Sequence, residues 1–254
     1  MVATFSPPFS PADALGERLR TRGYAVFAPD QVAVLCDTSL SALQALEPSW
    51  ETLPPDDYLR DGGRYRHRRY GGFLVGRSGI TRAAHRAHYQ PPDYNALHGG
   101  LQRWFAPIAD ETAAAPAWTR LLAGLGARLC ALREADPWYV EAHQFRIDTA
   151  DGIGRPTPEG AHRDGVDFVA VFLVARHAIR GGETRVFDAD GPDGQRFTLD
   201  APWSLLLLDD TRVIHESTPI QPQGPPGAAA DAGGHRDTLV LTFRAGGFQS
   251  EGEA

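Results

Sequence analysis

Two histidines and one aspartate in the second half of the chain have the chemistry of a metal site. His162 and Asp164 lie two positions apart, just before an apolar run, and side chains two apart on a strand point to the same face. His215 follows 51 positions after Asp164, behind the apolar segment SLLLL. Two imidazoles and one carboxylate leave coordination positions open, which is the ligand set typical of non-haem Fe(II) that activates oxygen. The alternative for His162 and Asp164 is an ordinary polar turn entering a strand.

The last apolar segment begins with a possible carboxylate anchor. Arg236 and Thr238 are also two apart, so a guanidinium and a hydroxyl would share one face of that strand. A guanidinium binds a carboxylate through two hydrogen bonds, and the hydroxyl would add a third. The pair would suit the far carboxylate of a keto-diacid whose other end chelates the metal. Arg244 has the same parity on this strand and is the alternative anchor.

Other polar residues are candidates for contacts with a substrate. The segment RYRHRRYGGF, residues 64–73, is basic and aromatic and would place Arg66 on one face if extended; the alternative is a solvated basic hairpin. Gln144 and Arg146 share a strand face and are predicted to line a pocket, unless Arg146 forms a salt bridge to Asp209 or Asp210. Arg163 points away from the two ligands beside it, so it either folds over the pocket mouth or is simply exposed.

The order of secondary-structure patterns predicts helices first and strands afterwards, which favours an α+β fold. Helical patterns cover about residues 11–22, 31–46, 96–108 and 117–134, and the segment YAVFA reads as a strand. From residue 141 onward, seven short β-branched or aromatic segments separated by Gly, Pro and Asp turns predict a sandwich or barrel. The stretch 221–235 is predicted to be a surface loop, and the tail 246–254 is predicted to fray.

Composition excludes several classes of function. A net charge of −7 argues against general nucleic-acid binding, and no apolar stretch is long enough to cross a membrane. The absence of lysine excludes Schiff-base, pyridoxal-phosphate and P-loop chemistry. Cys36 and Cys130 are widely spaced and lack a CxxC pattern, and no secretion signal is visible, so we expect a cytoplasmic protein with two buried thiols. His85 and His88 have no third ligand nearby and read as surface or core histidines.

Several longer stretches resemble a known enzyme family. The segments PEGAHRDGVDFV, GGETRVFD, LLLLDDTRVIHESTPI and RDTLVLTF resemble the Fe(II)/2-oxoglutarate-dependent dioxygenases, in particular the bacterial family that contains the free L-isoleucine dioxygenases. The similarity covers about residues 64–243. It implies a double-stranded β-helix, a cupin-like jelly roll, with N-terminal helices supporting one sheet. It also implies Fe(II) bound by His162, Asp164 and His215, 2-oxoglutarate held by Arg236 and Thr238, and O2 as the oxidant.

The resemblance implies a single domain over residues 1–254, with a helical, substrate-side part at about 1–135 and the jelly-roll core at about 136–245. The expected activity is hydroxylation of a C–H bond of a free L-amino acid, aliphatic such as isoleucine, leucine or methionine, or a close derivative. One alternative keeps the same cofactors but takes another small natural product or a peptidyl substrate. Another is a non-catalytic cupin-like binding protein. The oligomeric state is not predicted.

Overall fold

The computed structural model describes residues 5–95, 97–223 and 233–250. These residues form five α-helices, which are short except for the last: α1 (Leu15–Arg22), α2 (Pro29–Leu35), α3 (Leu40–Gln44), α4 (Asp110–Ala113) and α5 (Pro116–Cys130). Two single-turn 3-10 helices cover Ala12–Ala14 and Glu47–Trp50. Within the described ranges, no helix has both the length and the apolar character needed to span a membrane.

Twelve strands form antiparallel sheets in the part of the chain that the structure describes. They are β1 (Tyr24–Phe27), β2 (Arg66–Gly76), β3 (Gly79–Arg82), β4 (Trp138–Asp148), β5 (Phe168–His177), β6 (Ile179–Gly181), β7 (Thr184–Asp188), β8 (Gly194–Phe197), β9 (Leu205–Asp209), β10 (Val213–Ser217), β11 (Ile220–Pro222) and β12 (His235–Arg244). A seven-stranded sheet has the order β1-β9-β5-β12-β4-β2-β3, and smaller sheets have the orders β10-β7-β8 and β11-β6. This strand-rich antiparallel architecture is consistent with the expected jelly roll.

The two faces of the large sheet pack against different partners. On β5 and β9, Phe172 and Leu205 belong to a core cluster shared with the helices, whereas Leu173 and Leu206 belong to a second cluster with Val186 and Phe197 of the small sheet. Because neighbouring side chains on a strand alternate between faces, a strand buried on both faces needs an unbroken apolar run. The run LLLL in β9 meets this need.

The N-terminal part contributes both helices and strands to this structure. Apolar side chains of α1, α2, α3 and α5 lie in the same cluster as those of β4, β5, β9 and β12. The strands β1, β2 and β3 also come from this part of the chain, and β2 pairs with β4 along ten residues. The large sheet therefore crosses the boundary at residue 135 that the sequence suggested between a helical part and a jelly-roll core.

Two of the predicted helices differ from the structure. Residues 97–108 form no helix; Gly100 has a positive φ of 74°, and the segment then runs beside β2, where Ile108 N donates to Tyr70 O at 3.0 Å. The pattern at 31–46 is interrupted after α2, because Asp37 has a φ of 46° and Ser39 accepts a hydrogen bond from Ala42 N as the N-cap of α3.

The C-terminal segment is more ordered than predicted as far as residue 250. Gln249 is 5% exposed, and its side-chain amide donates to the carbonyl oxygens of Asp164 and Gly165, each at 3.0 Å. The prediction of a frayed tail is therefore wrong for residues 246–250, while 251–254 lie outside the described residues. Most of the predicted surface loop at 221–235 also lies outside them, since residues 224–232 are not described.

Candidate active site

A cavity lies on the face of the large sheet opposite the helices. On β12, Leu239 and Leu241 point to the helical core, so the alternate residues Arg236 and Thr238 face the cavity. Strand register extends this face across the sheet, because Thr238 lies opposite Phe145 of β4, and Phe145 opposite Arg68 of β2. The cavity therefore has a floor of strands with both apolar and cationic side chains.

His162, Asp164 and His215 meet at this cavity. His162 and Asp164 belong to the loop between β4 and β5, and His215 lies on β10. Two backbone hydrogen bonds of 3.0 and 2.9 Å pair His162 with His215 and bring their rings to a centroid distance of 4.6 Å. Nε2 of each histidine lies 3.8 Å from an oxygen of Asp164. One ligand atom from each residue lies within 4.8 Å of the others, as binding a single ion requires.

Neighbouring groups hold the side chains of His162 and Asp164, and the loop that carries them, in place. His162 Nδ1 lies 2.9 Å from the carbonyl oxygen of Gly160, which directs Nε2 to the cluster. Asp164 Oδ1 accepts a hydrogen bond of 3.0 Å from Gln90 Nε2. The carboxylate of Asp210 accepts hydrogen bonds from three successive backbone N–H groups, at residues 164–166, and so fixes the loop.

The pKa shifts suit a cation at this cluster. Burial and the neighbouring His162 lower the pKa of His215 to about 3, so its ring is neutral at physiological pH. Burial opposes protonation of His162, but the carboxylates of Asp164 and Glu159 raise its pKa. Burial raises the pKa of Asp164, against the pull of His162. The cluster thus contains a buried carboxylate that a cation in its midst would stabilise.

A second group with metal-binding residue types lines the same cavity. His88, Glu141 and His143 are all buried and also have ligand atoms within 4.8 Å of one another. However, Arg68 Nη2 lies 2.6 Å from His143 Nδ1, and a guanidinium only donates, so a neutral His143 must carry its proton on Nε2. This leaves His143 without a lone pair for a metal.

The surroundings of the second group also disfavour a metal ion. Glu141 Oε1 already accepts hydrogen bonds from Tyr70 and Arg86. Burial, together with the charges of Arg103, Arg68 and Arg86, holds the pKa of His88 well below its usual value. A field that repels a proton also repels a divalent cation. Of the two groups, His162, Asp164 and His215 therefore fit an iron ion, and the second is better described as a buried hydrogen-bond network.

Comparison with known proteins decides the family. A family model described as 2OG-Fe dioxygenase matches residues 47–242, well over half of the sequence. The chain belongs to the 2OG-Fe dioxygenase family. It is therefore an oxidoreductase, and the expected cofactors Fe(II), 2-oxoglutarate and O2 are confirmed.

Two solved structures are similar to this chain. The crystal structure of a bsmA homologue from Methylobium petroleophilum PM1 is 50% identical, with 98% of this chain and 99% of that chain covered at a TM-score of 0.89. The structure of IDO from Bacillus thuringiensis is 18% identical, with 94% and 100% covered and a TM-score of 0.73, and so shows likeness of fold. No curated protein matches the chain.

The Arg236 side chain has the burial and charge expected of a carboxylate anchor. It is 4% exposed, and its buried Nε has no hydrogen-bond partner within the part of the chain that the structure describes. Burial and the nearby Arg176 lower its pKa to about 10, so it remains a cation that an anion would stabilise. Arg244, the alternative anchor, is half-buried, donates to the carbonyl of Gly247 at 3.0 Å and does not line the cavity.

Of the four residues predicted to contact substrate, Arg66 alone lines the cavity. Gln144 donates to Ser49 on the opposite face of β4, and Arg146 forms salt bridges with Asp237 and Glu51. The prediction that these two residues line the pocket is wrong, because the opposite face of β4 meets the cavity. His143 and Phe145, on that face, line it. Nε of Arg163 donates to the carbonyl oxygen of Asp210 at 2.7 Å, so the structure places it outside the cavity lining.

Sequence reasoning did not identify several polar residues of the cavity. They are Arg68, Gln90, Arg103, Glu141, His143 and Glu159. Arg68 is two positions from Arg66 and so shares its face of β2, and this spacing could have identified it. Gln90 and Arg103 lie in an irregular segment, and its path depends on pairing with β2. A contact between segments so far apart leaves no pattern in the local sequence.

Proposed function

We propose that this dioxygenase hydroxylates a C–H bond of a free L-amino acid, aliphatic such as isoleucine, leucine or methionine, or a close derivative. His162, Asp164 and His215 would hold Fe(II), and Arg236 with Thr238 would hold 2-oxoglutarate. The observation that carries this proposal is that a two-histidine, one-carboxylate cluster and an unpartnered buried arginine share one cavity of the described chain. When bound, Fe(II) and 2-oxoglutarate supply the oxidising chemistry.

The protein's own residues would position the reactants. Arg236 would orient the cosubstrate by pairing with its distant carboxylate, and Thr238 would add a hydrogen bond. Asp210 would keep the loop that carries His162 and Asp164 rigid, because its carboxylate accepts hydrogen bonds from three backbone N–H groups of that loop. Val166, Val171 and Val240 line the cavity and offer apolar contact to an aliphatic side chain. The N-terminal helices would support the far face of the sheet on which these residues stand.

A spectroscopic and turnover assay tests the proposal. Anaerobic addition of Fe(II) and 2-oxoglutarate should produce a weak visible charge-transfer band, and oxygen should then yield succinate. A panel of the twenty L-amino acids should contain at least one that stimulates succinate release and gains a hydroxyl group by mass spectrometry. If the band forms but every amino acid is inert, the alternative substrates, a small natural product or a peptidyl group, replace the amino acid. Failure to form the band would overturn the assigned ligands.

A further inference from the structure

Several buried polar atoms of the active-site cavity have no hydrogen-bond partner within the described ranges. Three of them, besides Arg236 Nε, belong to groups that carry a charge and stand unused by the proposed iron and 2-oxoglutarate sites: Arg66 Nη2, Arg103 Nε and Glu159 Oε2. The others are Arg68 Nε, His88 Nδ1 and His215 Nδ1. A buried polar atom that has lost water and gained no partner costs roughly 1–3 kcal/mol, more if charged. Unpartnered atoms of both signs in one cavity therefore indicate a ligand that carries both signs.

One wall of the cavity has more positive than negative charge. Arg66 is paired with Asp56 at 2.7 Å, and the same Asp56 oxygen lies 3.6 Å from Arg68, so one carboxylate serves two guanidinium groups. Arg103 donates to the neutral oxygen of Gln90 at 3.0 Å, and no carboxylate of the described chain lies within salt-bridge distance of it. Burial and Arg66 together lower the pKa of Arg103 to about 10. An anion between Arg66 and Arg103 would relieve this repulsion.

The Glu159 carboxylate is the opposite charge beside this wall. Its Oε1 lies 3.6 Å from His162 Nε2, so the side chain stands next to the proposed iron ligands. Its charge also raises the pKa of Arg103, which places it within electrostatic reach of the cationic wall. With Oε2 unpartnered, it can accept hydrogen bonds from an ammonium group.

Hydrogen bonds connect the cationic wall directly to the metal cluster. Arg103 Nη2 donates to Gln90 Oε1, and Gln90 Nε2 donates to Asp164 Oδ1, each at 3.0 Å. Arg103 therefore lies two hydrogen bonds from a proposed iron ligand. A carboxylate bound to Arg103 would lie in the same cavity as the metal cluster.

We propose that Arg66 and Arg103 bind the α-carboxylate of the substrate and that Glu159 accepts its α-ammonium group. The inference rests on the proposed function and narrows its substrate class, because the α-carboxylate and the α-ammonium group of the substrate must both be free. A peptide-bonded, carrier-bound or N-acylated amino acid lacks at least one of the two charges and would leave Glu159, the arginines or both without a partner.

The test measures binding with the holoenzyme under anaerobic conditions. L-isoleucine, L-leucine and L-methionine are titrated into the Fe(II)–2-oxoglutarate complex, and the change in the charge-transfer band gives the affinity. For the amino acid that binds tightest, the N-acetyl derivative, the amide and the deaminated acid are titrated in parallel. Each derivative removes one charge and, by the loss of a charge-assisted hydrogen bond, should bind about 10–100-fold more weakly.

Two variants assign the charges to residues. Arg103→Met should weaken binding of the amino acid but not of its amide, and Glu159→Gln should weaken binding of the amino acid but not of its deaminated acid. The exposed residues Arg77 and Glu134 provide the matched controls Arg77→Met and Glu134→Gln, which should bind as the wild type does. Melting temperatures check that each variant is folded.

The possible failures are distinguishable. No charge-transfer band in the wild type would overturn the proposed function itself. A band that N-acetyl or amide derivatives perturb as strongly as the free amino acid would leave the iron site standing and overturn the two-charge subsite. Loss of the band in Glu159→Gln would make Glu159 part of the metal site and would also overturn the inference.

Discussion

At the residue scale, the two clusters of the cavity differ in which histidine ring nitrogen is free to bind a metal. His162 uses Nδ1 toward the carbonyl of Gly160 and presents Nε2 to Asp164. His143 uses Nδ1 as the acceptor for Arg68 and is left with a protonated Nε2. Both clusters have two histidines and one carboxylate, yet the tautomer that the neighbours impose makes one a set of ligands and the other a set of donors and acceptors.

This difference predicts opposite effects of two histidine substitutions. His162→Ala should weaken Fe(II) binding by more than about 100-fold, beyond the range typical of outer-shell partners, and abolish turnover. His143→Ala should keep Fe(II) affinity within about tenfold of the wild type. Equilibrium dialysis with metal analysis measures both. If His143→Ala loses iron while His162→Ala retains it, the two clusters have been assigned in the wrong order.

The two arginines on β12 give a second prediction. Arg236→Ala should lower 2-oxoglutarate affinity by about 10–150-fold, the loss expected for a hydrogen-bonded charge, with Fe(II) binding retained. Arg244→Ala should change it little, because Arg244 lies outside the cavity lining and donates to Gly247. Titration of the charge-transfer band with 2-oxoglutarate compares the two. The reverse ranking would transfer the anchor to Arg244.

At the scale of elements, the C-terminal segment closes over the loop that carries two of the proposed ligands. Gln249 donates to the carbonyls of Asp164 and Gly165, and Arg86 donates to the carbonyl of Gln249 while it pairs with Glu141. Asp210 holds the N–H side of the same loop. The loop is therefore fixed from both sides of its backbone.

Removal of one of these supports should loosen the loop. Gln249→Ala leaves two carbonyl oxygens without their donor, at about 1 kcal/mol each, so Fe(II) affinity should fall roughly 3–30-fold and the melting temperature should fall by about 2–8 °C. Ser250→Ala, at an exposed neighbouring position, is the control. Metal titration and limited proteolysis of the loop are the measurements. Wild-type iron affinity in Gln249→Ala would show that Asp210 suffices to hold the loop.

The sequence predicts strands better than it predicts which face of a strand is functional. All seven segments from residue 141 onward form strands, because alternating or unbroken apolar runs depend on burial within each segment itself. The phase of β4 depended on its neighbours: Arg146 turns away from the cavity because its register partner Asp237 lies on the same outer face. The expected helix at 96–108 failed for a similar reason, since pairing with β2 overrides its local pattern.

At the scale of the whole molecule, the distribution of charge matters more for anion binding than the net charge does. The chain has a formal net charge of −7, yet one cavity of the described structure contains Arg66, Arg68, Arg103 and Arg236. The acidic total gave no hint of this local concentration of positive charge. Buried cations attract an anionic cosubstrate at short range, where little water screens them.

The buried histidines make the stability of the whole fold depend on pH. Burial, with neighbouring cations, holds the pKa of His88 and His143 well below the usual value and lowers that of His98 to about 4. The unfolded chain protonates these rings near pH 6.5, so below that pH it binds more protons than the folded state does. The free energy of unfolding should therefore fall as the pH drops from 7 to 5, by at most about 1.4 kcal/mol per pH unit for each ring.

His67 has the opposite effect on the pH dependence of the free energy of unfolding and therefore provides an internal comparison. Its hydrogen bond to Asp148 raises its pKa, so its contribution is present below the unfolded pKa and is lost as pH rises through the folded one. Urea denaturation of the metal-free protein between pH 7 and 5 measures the balance. His143→Gln should flatten the decline, because it removes a ring that must stay neutral, whereas His67→Gln should steepen it. A free energy of unfolding that rises toward pH 5 in the wild type would contradict the neutral buried histidines.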